Sequence, residues 1–182
     1  MNTYPSPLEM LYKWEKETPN KLYMRQPIKD LWHDWTWKET AEQVRKMAGY
    51  LKSLNLQQGS RIGILSKNCA HWMFSDLAIM MSGHVSVPLY PNLNAETLKQ
   101  ILEHSETQVL FVGKLDEFES MRPGVPANVQ CIAYPFYSEE GFPIWDDLVQ
   151  DVFPISEDVV RDPEELATII YTSGTTGMPK GV

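Results

Sequence analysis

Between residues 61 and 112 short apolar runs alternate with amphipathic ones at a spacing that leaves little choice of architecture. Arg61 to Leu65, Val85 to Leu89 and Gln108 to Val112 each read as a short strand bounded by turn residues. Between the first two, Asn68 stands where a helix cap is expected, and Met73, Phe74, Leu77, Ala78 and Met81 follow at helical spacing. They are apolar around much of the circumference, so this helix is expected to be buried on more than one side. Asn94 opens a second helix through Leu98, Ile101 and Leu102. Strands separated by one helix each are joined by crossovers, and crossovers make neighbours parallel. The fold class is therefore α/β, a mainly parallel sheet with helices on both faces, in a doubly wound arrangement.

The flanks carry their own punctuation. Ser6-Pro7-Leu8-Glu9 has a Ser cap, a Pro in the first turn and a Glu three residues after the cap, with Leu8, Leu11 and Tyr12 as the apolar stripe. Thr36-Trp-Lys-Glu39 repeats that box ahead of Ala41, Val44, Ala48 and Leu51, and Gly59 lies beyond the helix end. The Trp32 to Trp37 stretch between them reads as a half-buried strand or hairpin whose rings pack in the core, since no basic residues are interleaved as a base-stacking platform requires. From Gly113 to Glu164 the elements shorten, and six of the chain's 13 prolines fall there. Gln130 to Ala133 still reads as a strand and Ile144 to Val149 as a short helix. Asp146-Asp147 sits at that helix start, where acids are expected without any metal. Leu166 to Tyr171 is apolar throughout, the pattern of a strand buried in a parallel sheet. Three regions follow: an N-terminal helix and Trp-rich strands (1–40), an α/β subdomain (41–165), and a final strand with the loop after it (166–182).

Charge and composition exclude several classes. A net charge of −8 argues against a general nucleic-acid binder. Cys69 and Cys131 lack zinc-site spacing and read as reduced thiols. Met1 to Glu9 shows no basic region followed by an apolar run, and Leu77 to Met81, the longest apolar stretch, is too short to span a membrane. A soluble, cytoplasmic protein is the expectation. His33, His71, His84 and His104 form no metal-ligand spacing and are expected to pack or lie at the surface. The acidic run from Glu157 to Glu165 reads as a solvated linker face.

The chemistry is concentrated in Thr172-Ser-Gly-Thr-Thr-Gly-Met-Pro-Lys-Gly181. This segment holds three of the chain's 10 glycines, four hydroxyl side chains, one lysine and no acid. Glycines let backbone N–H groups turn toward an anion, hydroxyls add donors or reach a Mg²⁺, and Lys180 adds a mobile positive charge. Directly after a strand, the loop is expected at the carboxyl edge of the sheet, where open α/β folds bind ligands. A Ser/Thr/Gly loop also serves as a plain turn, and composition alone leaves the two readings open. A Walker A loop does not fit, because Pro179 stands where the second glycine belongs and Gly181 follows Lys180. Nor does Thr-Ser173-Gly fit the nucleophile elbow of a hydrolase.

Tyr171 to Val182 closely resembles the signature loop of the AMP-forming adenylate synthetases, the superfamily of acyl-CoA synthetases, nonribosomal-peptide adenylation domains and firefly-type luciferases. Trp35-Thr-Trp-Lys-Glu, Arg61-Ile-Gly-Ile-Leu-Ser-Lys-Asn-Cys and Val85-Ser-Val-Pro-Leu-Tyr-Pro resemble that family's N-terminal landmarks in the same order. The likeness runs from about Leu8 onward and is weakest from Gly113 to Glu164. Within the family, Val87-Pro-Leu-Tyr-Pro-Asn-Leu and the run to Glu103 look most like bacterial long-chain fatty-acid–CoA ligases.

The resemblance implies a two-step activation. A carboxylate attacks the α-phosphate of ATP to give an acyl-adenylate and pyrophosphate, and the thiol of coenzyme A then displaces AMP. It implies that Thr172, Ser173, Gly174, Thr175, Thr176, Gly177 and Lys180 cradle the phosphates, with Thr175 nearest Mg²⁺. The family's catalytic lysine and its ribose-binding aspartate have no counterpart here, so no catalytic residue is assigned, and Val182 reads as a truncation of a chain expected to be inert alone. Partners would be small molecules (fatty acid, ATP, coenzyme A), with peripheral membrane contact in the full-length enzyme and no nucleic acid. Amino-acid adenylation, aryl-acid ligation and a non-catalytic nucleotide-binding module remain the alternatives.

Overall fold

A computed structural model describes residues 4–137, 139–172 and 179–182. In chain order the elements are α1 (Pro7–Glu17), β1 (Leu22–Ile28), β2 (Leu31–Thr36), α2 (Trp37–Ser53), β3 (Arg61–Leu65), α3 (Ala70–Met81), β4 (Val85–Leu89), α4 (Ala95–His104), β5 (Val109–Val112), β6 (Gln130–Ala133), α5 (Trp145–Val149), β7 (Tyr171–Thr172) and β8 (Lys180–Gly181). Strands β3 to β6 form one parallel sheet in the order β4-β3-β5-β6, so the chain reverses its direction of travel across the sheet at β3. The expected α/β architecture is present.

Strand alternation divides the interior in two. Ile62, Ile64, Val109, Phe111 and Ile132 face a core completed by α1, α2, α3 and α5. Their neighbours Leu65, Leu110, Val112 and Cys131 face a second core under α4, with Val87 and Leu89 from β4. Both expected capping boxes close. Glu9 N donates to Ser6 Oγ at 3.2 Å and Ser6 N to Glu9 Oε2 at 2.7 Å. Glu39 N donates to Thr36 Oγ1 at 3.2 Å and Thr36 N to Glu39 Oε2 at 2.8 Å.

Several expectations are corrected. Asn68 does not cap α3. The N-cap is Cys69, whose side chain makes no capping bond, and the Ala70 N–H donates instead to Gln26 Oε1 at 2.7 Å. The hairpin β1–β2 thus supplies the cap from a distance, and Gln26 is itself fixed by donating to Tyr137 Oη at 3.0 Å. The tryptophans do not share one fate. Trp35 meets Phe74 edge-on and Trp37 stacks on Tyr23 at 3.7 Å, but Trp32, near the hairpin tip, is 65% exposed. Leu166 to Tyr171 is not a buried strand. Only Tyr171–Thr172 is strand, Leu166 and Ile170 are largely exposed, and the segment is hydrogen-bonded to the sheet at Ser86, by two backbone bonds from Ala167–Ile169 and one from the Thr168 hydroxyl. It lies along the outer side of β4, paired there through Thr168 and Ser86.

The acids of the run Glu157 to Glu165 are exposed, as expected, but the run is tied to the fold by two arginines. Arg45 of α2, with its side chain 11% exposed, reaches Glu15 at 2.9 Å and Asp158 at 2.5 Å. It also donates to the carbonyls of Ile155 and Glu157, and its guanidinium lies over the Tyr12 ring. Tyr12 Oη in turn accepts from Val159 N at 3.0 Å. Arg161 continues the attachment through Glu165 and the carbonyls of His84 and Leu166.

The histidines pack as expected, except that two of them do specific work within the fold. His71, 7% exposed, sits among Trp35, Phe74, Tyr134 and Trp145, and burial pushes its pKa down to about 4. His104 contacts the strand β7 and belongs to the site described below. Cys69 and Cys131 are free thiols, and burial pushes Cys131 up to about 11.

Two outcomes test these packing arguments. Arg45→Met should destabilise the chain by about 3 kcal/mol in urea denaturation, because it strands Glu15 and the Ile155 and Glu157 carbonyls, while Asp158→Asn, more exposed, should cost under about 1 kcal/mol. His71 is neutral in the fold and protonates more readily once unfolded, so its contribution is fully present above pH 6.5 and is lost as pH falls toward about 4. The difference in unfolding free energy between wild type and His71→Phe, from urea denaturation, should therefore narrow or invert over that window, by up to about 3 kcal/mol. Burial raises the Asp76 and Asp146 carboxyls in the opposite sense, but they are common to both proteins and cancel in the difference.

Candidate functional site

The carboxyl ends of β3, β4 and β5 meet where the sheet order turns back, the usual place for a ligand crevice in such folds. Between β3 and β5 that crevice is filled by the protein itself. Ser66 Oγ accepts from Lys114 N at 2.9 Å and donates to the Lys67 carbonyl at 2.7 Å, and Lys67 N donates to the Lys114 carbonyl. Gly113 is obligatory there, since a Cβ would stand 2.1 Å from the Tyr134 ring and 2.6 Å from Ser66 Oγ.

The open space lies on the β4 side. A cavity of about 660 Å³ is lined by Ser66, Lys67 and Asn68 after β3, by Trp72 of α3, by Pro88 to Pro91 at the end of β4, and by Ile170. Its wall is mainly apolar, with the polar groups gathered at one rim. Lys67 on that rim is held by Asp116, with both carboxylate oxygens within 2.6 Å of Nζ.

Ile170 links this cavity to the predicted phosphate segment. Its N–H donates to the Val182 carbonyl and its carbonyl accepts from Val182 N, both at 2.9 Å. The antiparallel pair β7–β8 continues that ladder with Tyr171 opposite Gly181 and Thr172 opposite Lys180. Thr172 and Lys180, eight positions apart in sequence, are therefore side by side and exposed at the carboxyl edge of the sheet. The other predicted cradle residues, Ser173, Gly174, Thr175, Thr176 and Gly177, lie outside the described residues, and so does the proposed Mg²⁺ contact at Thr175. Among the described residues no group of three His, Cys, Asp or Glu side chains is placed to hold a metal ion.

Beneath the pair, Tyr171 is 4% exposed and its hydroxyl is 2.6 Å from Nδ1 of His104. Gly181 lies across its ring, and a Cβ at that position would stand 3.2 Å from Tyr171 Cζ and 2.8 Å from Ile169 Cγ2. Sequence reading singled out Thr172 and Lys180 but gave no site role to Trp72, Tyr90 or Ile170. The signal for Tyr90 was present in the Val85-Ser-Val-Pro-Leu-Tyr-Pro run, which ends a strand at the ligand-binding edge. Trp72 and Ile170 carried none.

The family of AMP-binding enzymes matches residues 11–182 of the chain. The long-chain-fatty-acid–CoA ligase FadD15 of Mycobacterium bovis is 32% identical over 184 residues, an alignment covering 94% of this chain and 30% of that protein. Long chain acyl-CoA synthetase 5 of Arabidopsis thaliana is 29% identical, covering all of this chain and 31% of its own length. The chain thus spans about a third of the curated relatives it matches. Among solved structures, that of the anthranilate CoA ligase AuaEII with anthranoyl-AMP superposes over the whole chain with a TM-score of 0.84 at 24% identity, covering 35% of that protein. At that identity the likeness establishes the fold.

The ladder around Tyr171 can be tested locally. Gly181→Ala overpacks the Tyr171 ring, a class of change that costs about 1–3 kcal/mol. Amide exchange at Ile170 and Val182 should accelerate by about tenfold while the urea midpoint of the sheet stays where it is.

Proposed function

The chain belongs to the AMP-binding enzyme family, and on that premise we propose that it is the N-terminal part of a long-chain fatty-acid–CoA ligase that activates its substrate with ATP. The observation that carries the reading is the pairing of Thr172 with Lys180 at the carboxyl edge of the sheet, two residues beyond the wall of an apolar cavity. A cation and a hydroxyl held side by side suit the oxygens of a polyphosphate, and the interposed glycines suit backbone N–H donation to the same group. The choice of fatty acid as substrate rests on the relatives, which are named as long-chain ligases.

In this reading a carboxylate oxygen bonds to the α-phosphorus of ATP, and the bond to the β-phosphate oxygen breaks to release pyrophosphate. The thiol of coenzyme A then attacks the acyl carbon and AMP leaves. The residues of this chain serve the first step. Negative charge accumulates on the departing pyrophosphate, and Lys180 with Thr172, Ser173, Thr175 and Thr176 would stabilise it there, while Gly174 and Gly177 let the backbone approach. Mg²⁺ would arrive with the nucleotide near Thr175 and supply further charge neutralisation. His71 and Cys131 are buried away from this pair, burial holding the first imidazole and the second thiol neutral, while His104 meets the pair only through the Tyr171 hydroxyl.

We place the protein in the cytoplasm with peripheral membrane contact, in keeping with a water-insoluble substrate; among the described residues no helix is long and apolar enough to cross a membrane. Carboxylate-dependent ATP–pyrophosphate exchange by the gene product, with fatty, aromatic and amino acids in parallel, tests the whole reading. Exchange driven by long fatty acids is the expected result. Exchange driven by aromatic or amino acids moves the protein to another adenylating class, and none with any acid leaves a non-catalytic nucleotide-binding module. Lys180→Ala should lower the exchange rate by about 100-fold, the loss expected when a charged transition-state contact is removed.

A further inference from the structure

We propose that His104 is a positioning residue for the Thr172–Lys180 pair, acting through the hydroxyl of Tyr171. The inference rests on the reading of that pair as a nucleotide-phosphate contact.

A two-stranded ribbon is marginal by itself in water, and β7–β8 is two residues long on each side. Its link to the main sheet runs through Ala167–Ile169 at a single residue of β4, Ser86. Something else must fix where Thr172 and Lys180 point. Tyr171 does so from below. Its ring is buried in the core under α4, and its hydroxyl ends 2.6 Å from Nδ1 of His104, the last residue of α4. The two rings meet edge to face, with centroids 5.7 Å apart at 88°.

The helix that presents His104 is itself well anchored. Asn94 caps it by accepting from Thr97 N at 2.8 Å, and Leu98, Ile101 and Leu102 are buried against the sheet. Gly181 packs close against the Tyr171 ring, since a Cβ there would stand 3.2 Å from Tyr171 Cζ. Burial also pushes the Tyr171 phenol up, so the hydroxyl stays protonated and can either donate to or accept from the imidazole. Tyr171 immediately precedes Thr172, and Gly181 immediately follows Lys180, so the contact fixes both members of the pair at once. His104 touches no reacting atom; it fixes the residue next to those that would.

The test is ATP–pyrophosphate exchange in the gene product with His104→Phe and Tyr171→Phe, each of which keeps a ring and deletes the hydrogen bond. Each is expected to raise KM for ATP about fivefold, the factor that one such bond supports. KM for the fatty acid and the thermal midpoint should not move. His104→Asn, whose amide occupies the place of Nδ1, should restore the wild-type KM, and the double Phe variant should be no worse than either single one. An unchanged KM for ATP in both Phe variants overturns the inference, and so does a lowered thermal midpoint with KM intact, which is the mark of a purely structural contact. Absence of exchange in the wild type with every acid would instead remove the underlying reading, and this inference with it.

Discussion

Strand β3 hydrogen-bonds to parallel neighbours on both sides, and the rest of the molecule is arranged around that double pairing. A central strand in a parallel sheet has no solvent face, so every side chain of Ile62 to Leu65 must enter one core or the other. Ile62 and Ile64 take one side and Leu65 the other, and the helices then fall to the faces that these residues leave uncovered. The connection to β4 runs one way across the sheet and the connection to β5 the other. This reversal opens the carboxyl edge at the end of β3 and makes it the place where loops from several elements converge.

Polar contacts close what hydrophobic burial leaves undetermined. Apolar packing is indifferent to direction, whereas a helix end or a guanidinium accepts few partners. Gln26 caps α3 from the hairpin, and Arg45 binds the 155–158 segment to α1 and α2. Both reach across long stretches of sequence. They fix the layer of helices against the segment that leads to β7, and through it the position at which the proposed phosphate segment begins.

The candidate site follows from that route. Segment 166–172 passes along the outer side of β4, deposits Ile170 in the cavity wall and Tyr171 in the core under α4, and leaves Thr172 exposed beside Lys180. Alternation along an extended backbone accounts for the sequence of environments: successive side chains point to opposite sides. An apolar cavity and a polar, cationic pair thereby come to lie next to each other, a combination that suits a substrate with an apolar body and a reaction at a phosphate.

The order of elements, the parallel sheet and both capping boxes were legible in the sequence because they depend on periodicity and on contacts three or four residues apart. The same is true of Asn94, which caps α4 as its spacing suggested. Thr172 and Lys180 stood out in the sequence as candidate phosphate contacts, because glycines, hydroxyls and a lysine fall in one short run; that they lie side by side only the structure shows. What only the tertiary structure decided is everything that depends on a distant partner. Asn68 looked like a cap, yet Gln26 took that role; Leu166 to Tyr171 looked buried, yet it lies along an edge; the acidic run is solvated as it looked, and Arg45 and Arg161 tie it to the fold. His104 gave no signal at all, since its importance comes from a tyrosine 67 residues away. A sequence states what each segment prefers by itself, and the fold selects among those preferences according to which surfaces and polar groups it brings within reach.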